Sequence, residues 1–269
     1  MSVITISRGT FSGGKMLAEC LAAELGYRLI DRDVIVERAA AYGVSQHELR
    51  EALEKPPSFL ERLRHKRYMY LALVQAALAE EIRTGKAIYH GLAGHLLLRG
   101  GAPILRTRII APLEFRITMC QERLKLTRAE ALAYIQRVDQ ERRKWTHYLY
   151  GVDWGDPSLY DLVINLEYLS IREACQLIAS LVRRRCFEFD AECQRTMDDL
   201  ALASRVKANL AIHPPTSHLE FEVEADGGAV RIRGKVARVE EIDEVARVAR
   251  ETPGVTAVNV EELVPSVHV

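Results

Sequence analysis

The stretch Gly9-Thr10-Phe11-Ser12-Gly13-Gly14-Lys15 constrains this chain more than any other. A short apolar run, Val3 to Ile6, precedes it, and a helix-like run, Met16 to Leu25, follows. Strand, glycine-rich turn ending in lysine, then helix is the layout of a loop that wraps a phosphate. Glycines let backbone N–H groups close around an anion, the helix N-terminus adds positive potential, and Lys15 adds a full charge. The reading points to a nucleoside triphosphate. Taken alone the string is short enough to arise by chance, and a glycine-rich turn carrying a surface lysine is the competing account. Its place between a strand and a helix favours the phosphate loop. One position departs from the pattern: a Ser or Thr hydroxyl usually follows the lysine and helps hold magnesium, and here the residues are Met16 and Leu17.

The rest of the N-terminal part alternates strands with helices. Apolar segments at 2–6, 28–30, 87–90, 104–111 and 161–165 are short and mostly unbroken by polar residues, as expected of strands buried on both faces. Between them lie helical patterns. Thr127 and Ser170 each stand three residues before a glutamate, Glu130 and Glu173, and open helices as capping boxes. Ser45 caps a helix over 46–54, and Pro56-Pro57 breaks the chain before a helical segment at 58–84. Such alternation predicts an α/β domain with a mainly parallel sheet over 1–185. Residues 186–196 read as a linker. From 197 the pattern changes: a helix (198–212), an alternating strand (219–224), the turn Asp226-Gly227-Gly228, a second strand (229–233), a helix (239–250) and a last strand (255–260). This αββαβ order predicts a small α+β domain at 197–269.

Charge separates the same two parts. Net charge is zero overall, but residues 1–185 hold 28 Lys+Arg against 21 Asp+Glu, and residues 197–269 hold 8 against 13. A basic first part suits a phosphate-rich ligand. An acidic second part argues against nucleic acid and against simple attraction to anionic lipid. Five scattered cysteines form neither a zinc spacing nor a disulfide framework, and His213, His218 and His268 have no metal spacing. No apolar run is long enough to span a bilayer, and no signal peptide is expected, so a reducing cytoplasm is the expected home.

With these pieces placed, residues 1–185 resemble the cytidylate kinase-like family of P-loop nucleoside monophosphate kinases. The resemblance is carried by Ile4-Thr-Ile-Ser-Arg8, Ser12-Gly-Gly14, Leu25-Gly-Tyr27, Asp31-Arg-Asp-Val-Ile35, Asp139-Gln-Glu-Arg142, Trp154-Gly-Asp-Pro157 and Tyr160-Asp-Leu-Val-Ile-Asn165. Residues from about 197 to 264 resemble a BON domain through Ala203-Ser-Arg-Val206, Gly228-Ala-Val-Arg-Ile-Arg-Gly234 and Pro253-Gly-Val-Thr-Ala-Val258. The resemblance implies a P-loop kinase fold with a helical lid, followed by a binding module for a lipid or protein partner.

It also implies phosphoryl transfer from ATP, with Mg2+, to a nucleoside monophosphate such as CMP or dCMP. Gly9, Ser12, Gly13, Gly14, Lys15 and Met16 would hold the ATP phosphates, with Lys15 reaching the β- and γ-phosphates. Arg137, Asp139 and Arg142 occupy the place of the family's lid, where arginine forks pair two phosphate oxygens at once and Asp139 orients an arginine. Charged residues along a helix are otherwise a solvated face. Asp31 and Arg32 follow the second strand on the ligand-binding edge of such folds; Asp31 is a candidate for a magnesium-bound water or the nucleoside, Arg32 for the acceptor phosphate, with an N-cap aspartate and a surface arginine as the alternative. Arg8 is a further candidate phosphate contact. Trp145, His147, Tyr148 and Tyr150 suit base stacking or plain packing. Two departures, Met16 and the sequence His90-Gly91-Leu92 where family members often carry glycine-arginine, leave open a second reading as a nucleotide-binding regulator with little turnover.

Overall fold

The computed structural model describes residues 2–54, 64–91, 93–98 and 104–265. The Pro56-Pro57 break, Leu92 and His268 lie outside these residues. In chain order the elements are β1 (Val3–Arg8), α1 (Gly14–Leu25), β2 (Arg28–Asp31), α2 (Arg32–Ala40), α3 (Gln46–Glu54), α4 (Arg64–Ile82), β3 (Ala87–His90), the single turn α5 (Gly94–Leu97), β4 (Ile104–Ile110), α6 (Leu113–Leu124), α7 (Arg128–Tyr150), β5 (Leu162–Asn165) and α8 (Ile171–Val182). Then follow α9 (Ala191–Ile212), β6 (Phe221–Asp226), β7 (Ala229–Val236), α10 (Glu240–Glu251) and β8 (Ala257–Pro265).

The first five strands form one parallel sheet in the order β2-β3-β1-β4-β5. β1 is central, so its side chains are buried on both faces. Val3 joins one core with Ile30, Leu73, Leu78 and Trp145. Ile4 and Ile6 join the other with Leu17 and Leu21 of α1, Leu105, Ile109 and Ile178 of α8. Because successive side chains point to opposite faces, a central strand between two helix layers must be apolar on both. The capping boxes at Thr127 and Ser170 form as expected, each closed by its glutamate. α6 and α7 make a helical hairpin with a core of its own: Ile117, Cys120, Ala131 and Ile135.

The second sheet has the order β6-β7-β8, with β6 antiparallel and β8 parallel to β7. Its inner face packs on α9 and α10 through Phe221, Val230, Ile232, Val245 and Leu263. The expected linker differs from what forms there. A 3₁₀ turn at Arg185–Phe187 leads into α9, which starts at Ala191 rather than 198, with Asp190 accepting from the Cys193 N–H at 2.8 Å as its cap. The apolar pattern of α9 serves two cores at once. Leu202, Val206 and Leu210 face the second sheet, while Met197 and Ala208 enter the core of the first domain. Two stripes on one helix blur the one-sided periodicity that marks an ordinary helix start.

Polar contacts close the same junction. The Tyr68 hydroxyl on α4 donates to the Phe221 carbonyl and accepts from the Phe221 N–H, both at 2.8 Å, so one side chain completes the end of β6. Lys207 lies 5.1 Å over the Tyr68 ring, and Arg205 pairs with Glu80 at 2.8 Å. No helix among the described residues is long and apolar enough to cross a membrane. Removing the hydroxyl in Tyr68→Phe strands two backbone groups at this junction. The expected loss is about 1–3 kcal/mol in a urea unfolding curve, and an unchanged midpoint would show that the contact carries no stability.

Candidate active site

The glycine loop leaves the carboxyl end of β1 and turns into α1. Its turn is closed by the Ser12 N–H donating to the Gly9 carbonyl at 3.2 Å. Gly13 sits at φ 79, the left-handed region that glycine enters without strain, and N-caps α1. Phe11 also has φ 60, without glycine's freedom, and its ring packs against the α6–α7 core beside Tyr134. The loop is tightly built: a Cβ at Gly14 would fall 2.3 Å from Cδ of Arg8, and one at Gly9 2.7 Å from Oγ of Ser12. That Ser12 hydroxyl is buried and has no hydrogen-bond partner. A glycine cradle at a helix N-terminus holding an unsatisfied hydroxyl fits a phosphate group.

Magnesium fits less well. Met16 is 47% exposed and offers no oxygen, and no group of three or more His, Cys, Asp or Glu able to hold a metal occurs among the described residues.

Lys15 is exposed and pairs with Glu19 one turn along α1 at 3.8 Å. Around it the carboxyl ends of β1, β2 and β3 gather cations. Arg8 ends β1, and its pKa is lowered to about 10 by burial and then by the charges of Arg142, Arg32 and Arg123. Burial also lowers that of Arg142, against the attraction of Asp139. Asp31 lies beside His90 across the β2–β3 ladder. Its Oδ1 accepts from the N–H groups of Asp33 and Val34 at 2.9 and 3.1 Å, capping the helix that Arg32 begins. Thus Arg8, Arg32, Arg142 and Lys15 converge, although they come from four separate elements.

Asp139 and Arg142 reach the loop itself. Asp139 accepts from the Thr10 N–H at 3.0 Å and from its hydroxyl at 2.7 Å, and Arg142 donates to the Thr10 hydroxyl oxygen at 3.1 Å. The arginine that Asp139 orients is Arg116 of α6, which bonds its second carboxylate oxygen. Nothing in the sequence singled out Arg116. Arg137 stands apart: it is exposed and lies 5.6 Å over the Tyr134 ring, one aromatic layer out from Phe11. Trp145 and Tyr150 pack edge-on, 5.9 Å apart, against the core on one face of the sheet.

The Trp154 to Tyr160 segment braces the neighbouring edge. The Tyr160 hydroxyl lies 3.1 Å from Ser7 Oγ and donates to the Trp154 carbonyl at 2.8 Å, while Arg108 stacks 4.4 Å over the Trp154 ring. Between Ser7, Arg8, His95, Arg142 and Trp154 remains a cavity of only about 10 Å³, room for about one water. A ligand on this side requires the α7 side chains to part.

His90 ends β3 close to these cations. It is 8% exposed, its Nε2 lacks a hydrogen bond, and burial together with the charges of Arg8, Lys15 and Arg142 lowers its pKa from 6.5 to about 3. The folded chain therefore keeps His90 neutral where the unfolded chain would protonate it. Stability is full above pH 6.5 and falls as the pH drops from about 6.5 towards about 3, because the unfolded state binds the extra proton. In His90→Gln, the pH dependence of unfolding across that window is expected to flatten; an identical profile would place the acid sensitivity elsewhere.

Comparison with known proteins gives the family of each part of the chain. Residues 3–168 match the model of the cytidylate kinase-like family, and residues 198–264 match that of the BON domain. The chain is 29% identical over 168 residues to a cytidylate kinase of Ignicoccus hospitalis, spanning 61% of this chain and 90% of the relative. It is 32% identical over 150 residues to one of Desulfurococcus amylolyticus, 54% of this chain and 73% of the relative. Among solved structures, an uncharacterized protein from Eubacterium ventriosum superposes with a TM-score of 0.55 at 16% identity, over 69% of this chain and 100% of that one, a likeness of fold. A family match across more than half the chain, on top of the parallel sheet and its glycine loop, establishes that this chain belongs to the cytidylate kinase-like family and carries a BON domain after it.

Proposed function

We propose that the chain transfers the terminal phosphoryl group of ATP to a nucleoside monophosphate, with CMP or dCMP as the acceptor. The observation that carries the proposal is the convergence of Arg8, Arg32, Arg142 and Lys15 on the carboxyl edge beside the glycine loop. Donor and acceptor are both anions, so positioning and charge neutralisation carry most of such a transfer. In this reading the loop N–H groups and the α1 N-terminus take the donor phosphates. Lys15 leaves Glu19, a solvent-exposed pair of little strength, to join them. Arg32 and Arg8 take the acceptor phosphate, and Asp31 fixes Arg32 by capping the helix it begins. Arg142 stands between the loop and the cavity at Ser7 and neutralises charge on the transferring group. Arg137 would reach the site only with movement of α7.

The catalytic part runs over 1–185 in this proposal, and the BON domain at 197–269 serves regulation or attachment to a lipid or protein partner. A second reading, a nucleotide-binding regulator with little turnover, is favoured by Met16, which brings a thioether where magnesium chemistry wants an oxygen. A coupled ADP-release assay over a panel of monophosphates decides between them. Turnover above the acceptor-free background with a pyrimidine monophosphate is expected, falling about 10²-fold in Lys15→Ala. A flat panel in which ATP still raises the melting temperature would support the regulator.

A further inference from the structure

Thr10 is held at every polar atom it has. Its N–H and hydroxyl donate to Asp139 Oδ1 at 3.0 and 2.7 Å, its hydroxyl oxygen accepts from Arg142 at 3.1 Å, and its carbonyl accepts from Arg116 Nε at 2.8 Å. A terminal nitrogen of Arg116 bonds the other oxygen of Asp139, closing a ring of three residues. The next residue, Phe11, keeps φ 60 with its ring packed against Ile117, Cys120, Ala131 and Ile135. The α6–α7 hairpin therefore grips the glycine loop from outside, through one apolar and one polar contact.

The orientation of one peptide follows from this grip. In a planar trans peptide the carbonyl of Thr10 and the N–H of Phe11 point in opposite directions. Anchoring the carbonyl on Arg116 turns it toward α6. A carbonyl turned toward a phosphate would instead repel it. Arginine suits this task because two nitrogens of its planar fork bond the carbonyl and the carboxylate together, whereas an ammonium is a point charge. The pair is largely shielded, with side chains 15% and 25% exposed.

We propose that Arg116 is a positioning residue of the phosphate loop, which acts through Thr10 and Asp139 to hold the Thr10–Phe11 peptide with its carbonyl oxygen away from a bound triphosphate. The inference rests on the reading of this loop as the ATP site. It differs from a role for Arg116 as one more charge facing the phosphates, which a lysine would preserve.

The test uses the full chain and the variants Arg116→Ala, Arg116→Lys, Asp139→Asn and the double variant Arg116→Ala/Asp139→Asn. ATP affinity is measured by calorimetric titration, and KM for ATP and for CMP and the melting temperature are measured alongside. Arg116→Ala and Arg116→Lys are both expected to weaken ATP binding by about 10²-fold, raising KM for ATP while KM for CMP holds. The double variant should be no weaker than Arg116→Ala, because both changes open the same ring. Wild-type affinity in Arg116→Lys, additive losses in the double variant, or equal rises in both KM values would overturn the proposal. If the wild-type chain binds ATP yet phosphorylates no monophosphate, the kinase reading fails and the titrations still decide Arg116. If it does not bind ATP, both fail.

Discussion

Like charges crowd the carboxyl ends of β1, β2 and β3, and the packing beneath them is what keeps them there. Arg142 and Arg32 lower the pKa of Arg8, and Arg32 lowers that of Arg142, in each case after the larger effect of burial. Left to themselves such guanidinium groups would spread into solvent. Here Arg8 is fixed because β1 is clamped between two apolar layers, Arg32 because Asp31 caps the helix it begins, and Arg142 because it bonds Thr10. The fold meets the cost of this repulsion in advance, so the cations stand already placed along this edge. Such preorganisation is how charge stabilisation escapes the cost of rearrangement. The neutral His90 beneath them adds no further positive charge to the repulsion.

Much of this was legible in the sequence, and the reasons are local. The strands of the first sheet are short segments rich in Ile, Leu and Val; β1 and β3 are buried along nearly their whole length, while the edge strands β2 and β5 each keep one buried residue, Ile30 and Ile164. The glycine loop and the two capping boxes are written within a few residues each. Arg8, Arg32 and Arg142 could be picked because they sit in segments with a family likeness. Arg116 could not: it bonds Thr10 across 106 residues of chain, and in its own helix it looks like any charged residue on a wet face. Arg137 shows a related limit: closeness to Asp139 along α7 does not say which way a side chain faces, and it lies exposed over the Tyr134 ring. His90 falls at the end of an expected strand, but its burial and its place beside the arginines come from the tertiary fold.

The start of α9 was the other point hidden from the sequence. Residues 191–197 carry too few apolar side chains to announce a helix, and the charge change at 186 reads naturally as a connector. Tertiary packing supplies what the local pattern lacks, with Met197 entering a core whose other members run from Val3 to Trp145 and include Ala208 of the same helix.

That helix has a consequence for how the two modules can behave. A chain cut at residue 185, between the two family matches, would lose Met197 and Ala208 from its first core and the hydroxyl-bound end of β6 from α4. The kinase-like part is thus not a detachable engine with an accessory on a string. The two modules share a beam, and a load on the BON domain, such as a docked partner, bears directly on the side of the sheet that α4 and Leu78 support. Kinship divides the chain in two, while one helix contributes side chains to both cores.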